Sequence, residues 1–153
     1  MATMMQRFWL VAFTMIVAGS SGSFAADIDR SAADFKTPAE IKWVRNAAGT
    51  NESALLFGDP SKPGPYVMRL RWLPGNMSRP HFHPNDRFFV VLSGTWWMGT
   101  GDKYDPDKTV AVPAGSYVIH YANQIHYDGA KNEEAVIQVW GMGPATLTPA
   151  EKR

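Results

Sequence analysis

Two of the four histidines in this chain are separated by a single residue, as His81-Phe82-His83. Alternate side chains share a face on a strand, whereas on a helix they diverge. Both imidazoles can therefore address one point only if the segment is extended. Glycines frame the pair: Gly75 lies six residues before His81, and Gly94 lies eleven after His83. A third histidine, His126, follows Gly115 by eleven residues. The pattern predicts strands that bring three imidazoles to one interior, the framework of a small metal-binding β-barrel.

The punctuation along the chain agrees with an all-β domain. Residues 58–65 (Gly-Asp-Pro-Ser-Lys-Pro-Gly-Pro) form a turn-rich loop. Residues 66–73 alternate as a strand does, and Pro74-Gly75-Asn76 closes it with a turn. Residues 88–92 are wholly apolar, the pattern of a strand buried on both faces. Further strands are expected at 95–99, 110–113, 117–121 and 135–140. Thr37-Pro38-Ala39-Glu40 suits one helical turn, because proline fits a first helical position. Short strands at this spacing favour a barrel or sandwich. The expected organisation is a lead-in with the first strands at 27–65, a barrel core at 66–143 and a surface tail at 144–153.

The first 26 residues read as a secretory signal peptide. Arg7 supplies the positive start, residues 8–18 are a largely apolar run too short to span a bilayer, and Ser23-Phe24-Ala25-Ala26 fits cleavage after Ala25 or Ala26. Removing this segment takes away Arg7 and no acid, leaving 14 basic and 14 acidic side chains. A neutral balance gives no footprint for nucleic acid or an anionic membrane. The absence of cysteine excludes disulfides, thiolate ligands and a lipoprotein anchor. The expectation is a soluble periplasmic or secreted protein.

The spacing resembles the cupin family. Its first motif runs Gly, five residues, His, one, His, three or four, Glu, six, Gly, and Gly75, His81, His83 and Gly94 stand in register. Arg87 occupies the Glu position. In the second motif Gly115 and His126 match, while Tyr121, Asn123 and Ala130 replace Pro, Gly and Asn. Asn123 is a conservative loss, since asparagine tolerates positive φ. The region 58–65 and Thr95-Trp96-Trp97 resemble a subgroup of small exported cupins of undefined activity. The resemblance implies a cupin-type jelly-roll barrel with His81, His83 and His126 as ligands of a divalent metal. Such a triad suits Fe, Zn, Mn, Ni or Cu without distinguishing them, and leaves coordination positions open. The alternative is a set of hydrogen-bonded barrel histidines with no metal.

Arg87 conflicts with that ligand set. A guanidinium stays charged, and at roughly 5 Å from a divalent ion an effective dielectric of about 20 gives repulsion near 7 kcal/mol. Arg87 could pair with Asp86, Asp102 or Glu133, could meet an anionic ligand lying between it and the metal, or could exclude the metal. The second option makes Arg87 a clamp for a small carboxylate or enol. Gln138, polar within an apolar strand, is a further candidate ligand or substrate contact. Asp86 should face away on a regular strand. His120 is read as a structural or supporting histidine, and Asp128 as a residue that could orient a histidine. Arg69 and Arg71 share a strand face that should meet solvent or another subunit. The expected function is a metal-dependent oxygenase- or isomerase-like activity on a small anionic molecule. The alternative is a non-catalytic periplasmic binder of a metal or small ligand. A homodimer is expected in either case, because cupin-like sheets often pair.

Overall fold

The computed structural model describes residues 27–151. The signal-peptide reading falls on residues 1–26, outside the described residues. Residues 27–34 form a turn of their own, in which the Asp29 carboxylate accepts from the backbone N–H and the hydroxyl of Ser31. The remainder, from Phe35, is a second compact unit and carries the fold.

That unit is all β apart from two single 3-10 turns, at Pro38–Glu40 and Pro106–Lys108. The first is the expected turn, held by the Glu40 carboxylate accepting from both the N–H and the hydroxyl of Thr37 at 2.7 Å. The strands are β1 (Val44–Arg45), β2 (Asn51–Phe57), β3 (Gly64–Trp72), β4 (His81–Phe82), β5 (Arg87–Ser93) and β6 (Thr95–Thr100). They continue as β7 (Val110–Pro113), β8 (Tyr117–His120), β9 (His126–Gly129), β10 (Ala135–Gly143) and β11 (Thr148–Pro149). Two antiparallel sheets result, ordered β1-β2-β3-β10-β5-β8 and β11-β4-β9-β6-β7. This is the jelly-roll arrangement the spacing predicts. The barrel is wider than residues 66–143, because β1, β2 and β11 belong to its sheets.

Strand β10 is central and sets the phase of the core. Ala135, Ile137 and Val139 point inward and are fully buried, against Phe89, Val91, Trp96 and Tyr66. Burying Ile137 and Val139 contributes about 1.5–3 kcal/mol each. The apolar strand β5 departs from the expected burial on both faces. Phe89 and Val91 lie inside, Phe88 and Val90 are half-buried on the outer face, and Leu92 is exposed. Phe88 instead stacks on Trp140 across the outer face, with centroids 6.1 Å apart.

Gly94 makes the β5–β6 turn at φ +69°, where an added Cβ would lie 1.9 Å from the Glu134 carbonyl oxygen. Both the left-handed backbone and the close approach require glycine. Gly94→Ala is expected to cost about 3 kcal/mol of stability, read as a lower urea midpoint at unchanged slope. At the second such position, Asn123 adopts φ 60° as the motif comparison anticipates. Its N–H donates to the His83 carbonyl at 2.8 Å.

Candidate metal centre

Strands β4 and β9 are antiparallel neighbours, and His81 is the direct partner of His126. Direct partners project from the same face. His83, two residues after His81, points to that face as well. Donor atoms of the three side chains lie within 4.8 Å of one another, and all three residues are buried. Among the described residues this is the interior meeting of imidazoles that the spacing predicts.

Backbone carbonyls fix each ring. Nδ1 of His81 meets the Arg79 carbonyl at 2.7 Å, that of His83 meets Thr146 at 2.9 Å, and that of His126 meets Gln124 at 3.0 Å. A carbonyl can only accept, so each Nδ1 carries the proton and each Nε2 presents a lone pair. This is the arrangement of a ligating histidine whose other nitrogen is held by a hydrogen bond. Burial pushes His83 down to about 3, with the Arg87 charge as the next cause. Burial also lowers His126, while the Asp128 carboxylate pulls it upward. The His83 and His126 rings are thereby biased to the neutral form that coordination requires.

The donor set passes a chemical test for a divalent metal. Nε2 of His126 is buried without a partner, an atom that an ion would satisfy. A tetrahedral ion with nitrogens at about 2.1 Å would draw the donors to about 3.4 Å apart, a small inward movement. One atom stands in the way. Nη1 of Arg87 donates to Nε2 of His83 at 2.6 Å, so the guanidinium occupies the lone pair an ion would use. An ion that used Nε2 of His83 would require Arg87 to move aside.

The arginine takes none of the expected acidic partners. The Asp86 carboxylate accepts from the Ala122 N–H at 2.7 Å, and Glu133 accepts from the Thr95 hydroxyl at 2.8 Å. Among the described residues Arg87 forms no salt bridge and lies 5.1 Å from the Phe89 ring centroid. It lines a cavity of about 310 Å³ together with His81, His83, Asp128, Met68 and Ile137. A larger hollow of about 610 Å³ lies on the outer face against Phe88 and Trp140 and includes no histidine. The smaller space is the candidate ligand site, because charge and imidazoles converge there.

Gln138 does not join them, which corrects its reading as a ligand or substrate contact. Its neighbours Ile137 and Val139 are the inward residues of β10, so Gln138 faces out. There its Oε1 accepts from Nε of Arg69 at 3.1 Å. Arg71, on the same outer face, pairs with Glu52 at 2.9 Å and lies over Trp43. His120 is the residue sequence reasoning undervalued. It lies inside, with its ring centroid 3.8 Å from that of His126, and burial pushes it down to about 2. Asp128 also faces inward and accepts from the Trp96 indole N–H at 3.1 Å.

Comparison with known proteins agrees with this architecture. Residues 31–146 match the family described as the ChrR Cupin-like domain. The polyketide cyclase RemF from Streptomyces resistomycificus superposes with a TM-score of 0.65 at 15% identity, over 78% of this chain and 87% of that one. A conserved protein with a double-stranded beta-helix domain from Klebsiella pneumoniae gives 0.55 at 22% identity, over 71% and 91%. The DMSP lyase DddQ from Ruegeria pomeroyi gives 0.57 at 14% identity, over 74% and 64%. These likenesses speak to the fold alone. No curated protein matches the chain. With two jelly-roll sheets, an inward histidine face and a family match across 31–146, the chain belongs to the cupin superfamily, among the ChrR Cupin-like domains.

Proposed function

We propose that this is an exported cupin that binds a divalent metal through His81, His83 and His126 and acts on a small carboxylate or enol. The observation that carries the reading is the convergence of three Nε2 lone pairs, each fixed by a backbone carbonyl on the opposite nitrogen. When bound, the metal supplies Lewis acidity and open coordination positions, which serve oxygenation or isomerisation. The chain supplies the rest. Arg87 offers a planar donor pair that fits a carboxylate, and an anion drawing it off His83 would free the third ligand. The apolar wall of Met68, Phe89 and Ile137 limits water around the ligand. The signal-type segment at 1–26 supports export, and the half-buried apolar outer face around Phe88 and Trp140 supports pairing of two copies.

A second reading, a binder without turnover, is favoured by the Arg87 grip on His83. The test is elemental analysis of protein purified without chelator, with carboxylate binding followed by calorimetry. Near-stoichiometric metal that is lost in His81→Ala/His126→Ala is the expected result. Arg87→Gln is expected to retain the metal and weaken carboxylate binding at least tenfold. Metal-free protein even after reconstitution would end the metal reading. Binding without turnover across carboxylates and enols would favour the binder.

A further inference from the structure

The triad leaves a buried imidazole nitrogen unexplained. Nδ1 of His120 is buried and, like Nε2 of His126, has no hydrogen-bond partner. Such atoms are rare in native interiors and call for an ion or water. His120 is only 8% exposed, wedged against Phe89 and Trp96 with centroids at 4.6 and 5.3 Å. It is the direct cross-strand partner of Arg87, so it enters the barrel beside the position where the carboxylate ligand is missing. A carboxylate is nevertheless present nearby. Asp128 is 6% exposed, lies two residues after His126 on β9 and shares its face. The Trp96 indole N–H holds its Oδ1 at 3.1 Å. Donor atoms of His120, His126 and Asp128 lie within 4.8 Å of one another.

We propose that these three residues form a second divalent-cation position, alternative to the triad. Two imidazoles and a carboxylate are a recurrent set for first-row transition metals. The carboxylate gives this set one negative charge that the triad lacks. His126 Nδ1 is committed to Gln124, so its single free nitrogen can serve one ion at a time and the two positions exclude each other. With Arg87 on His83 Nε2, the triad is short of a ligand while the His120 set is complete. An ion added to the ligand-free protein therefore settles on His120, His126 and Asp128. The inference goes beyond the functional reading above and uses only the shared His126.

Co²⁺ titration of the full chain, followed by calorimetry and visible absorption, tests this, with near-UV circular dichroism confirming that each metal-free variant is folded. His83→Ala is expected to leave the Co²⁺ affinity within threefold of the parent. His120→Ala, His120→Gln and Asp128→Asn are each expected to weaken it at least tenfold and alter the absorption bands, and His126→Ala to abolish binding. The reverse pattern, loss in His83→Ala with no change in the His120 and Asp128 variants, would overturn the second position and leave the triad standing. Equal losses in His83→Ala and His120→Ala would also overturn it, because they describe one four-donor site. Absence of Co²⁺ binding in the parent would remove both.

Discussion

Arg87→Glu is expected to raise the affinity of the barrel for Zn²⁺ at least a hundredfold, measured by competition with a chelator of known affinity. The substitution removes the donor that sits 2.6 Å from Nε2 of His83 and puts an anion where a cation stood. A hundredfold gain corresponds to about 2.7 kcal/mol. That is well below the roughly 7 kcal/mol of repulsion a charge at about 5 Å would exert at an effective dielectric near 20, so partial relaxation leaves the prediction intact. The same variant examines the clamp. If metal affinity rises while turnover of every carboxylate substrate stays intact, Arg87 does not hold the substrate. An unchanged affinity would mean that the guanidinium already moves aside at negligible cost.

The second large effect is acid sensitivity of the metal-free protein. His83 and His120 are held neutral by burial, at about 3 and about 2, against an ordinary value of 6.5. Above pH 6.5 neither the folded nor the unfolded chain protonates them, and their contribution to stability is complete. Below it the unfolded chain takes up protons that the folded chain refuses, so stability falls until the folded values are reached. Each histidine costs up to about 1.4 kcal/mol per pH unit in that window. Urea unfolding at pH 7, 6 and 5 should therefore show a loss of up to about 2.7 kcal/mol between pH 6 and 5 from the two together. Carboxylates such as Glu52 and Asp59, lowered by their hydrogen bonds and cationic partners, add nothing until lower pH. A His83→Gln/His120→Gln double variant should flatten the slope. Stability unchanged from pH 7 to 5 in the parent would show that these rings take protons freely.

The sequence made the triad legible because its geometry is local. A one-residue spacing places His81 and His83 on one face, and the second motif places His126 opposite. Asn123 was equally readable, since few residues other than glycine hold φ 60° easily. Gln138 was not. In an apolar run such as Val136-Ile137-Gln138-Val139, alternation gives no phase, and a shift by one residue exchanges the core face for the outer face. The place of His120 depends on its pairing with Arg87 across β5 and β8, a register no single strand records. The contact between Arg87 and His83 was hidden for a related reason. Four residues along a continuous strand span about 13 Å. Here β4 ends at Phe82 and β5 begins at Arg87, and the intervening bend folds the two side chains together.

The hydrogen bond from His83 to the Thr146 carbonyl joins residues 63 positions apart. Synthesis proceeds at about 5–20 residues per second, so His83 is made several seconds before the group that orients it. Until residue 146 can fold back, the His83 ring is free to turn and the triad lacks a defined third donor. On the proposed metal reading, capture by the completed triad is thus a late event, belonging to whatever compartment the chain occupies when its final strap closes. The ions available there, rather than those present where translation begins, would then select the occupant.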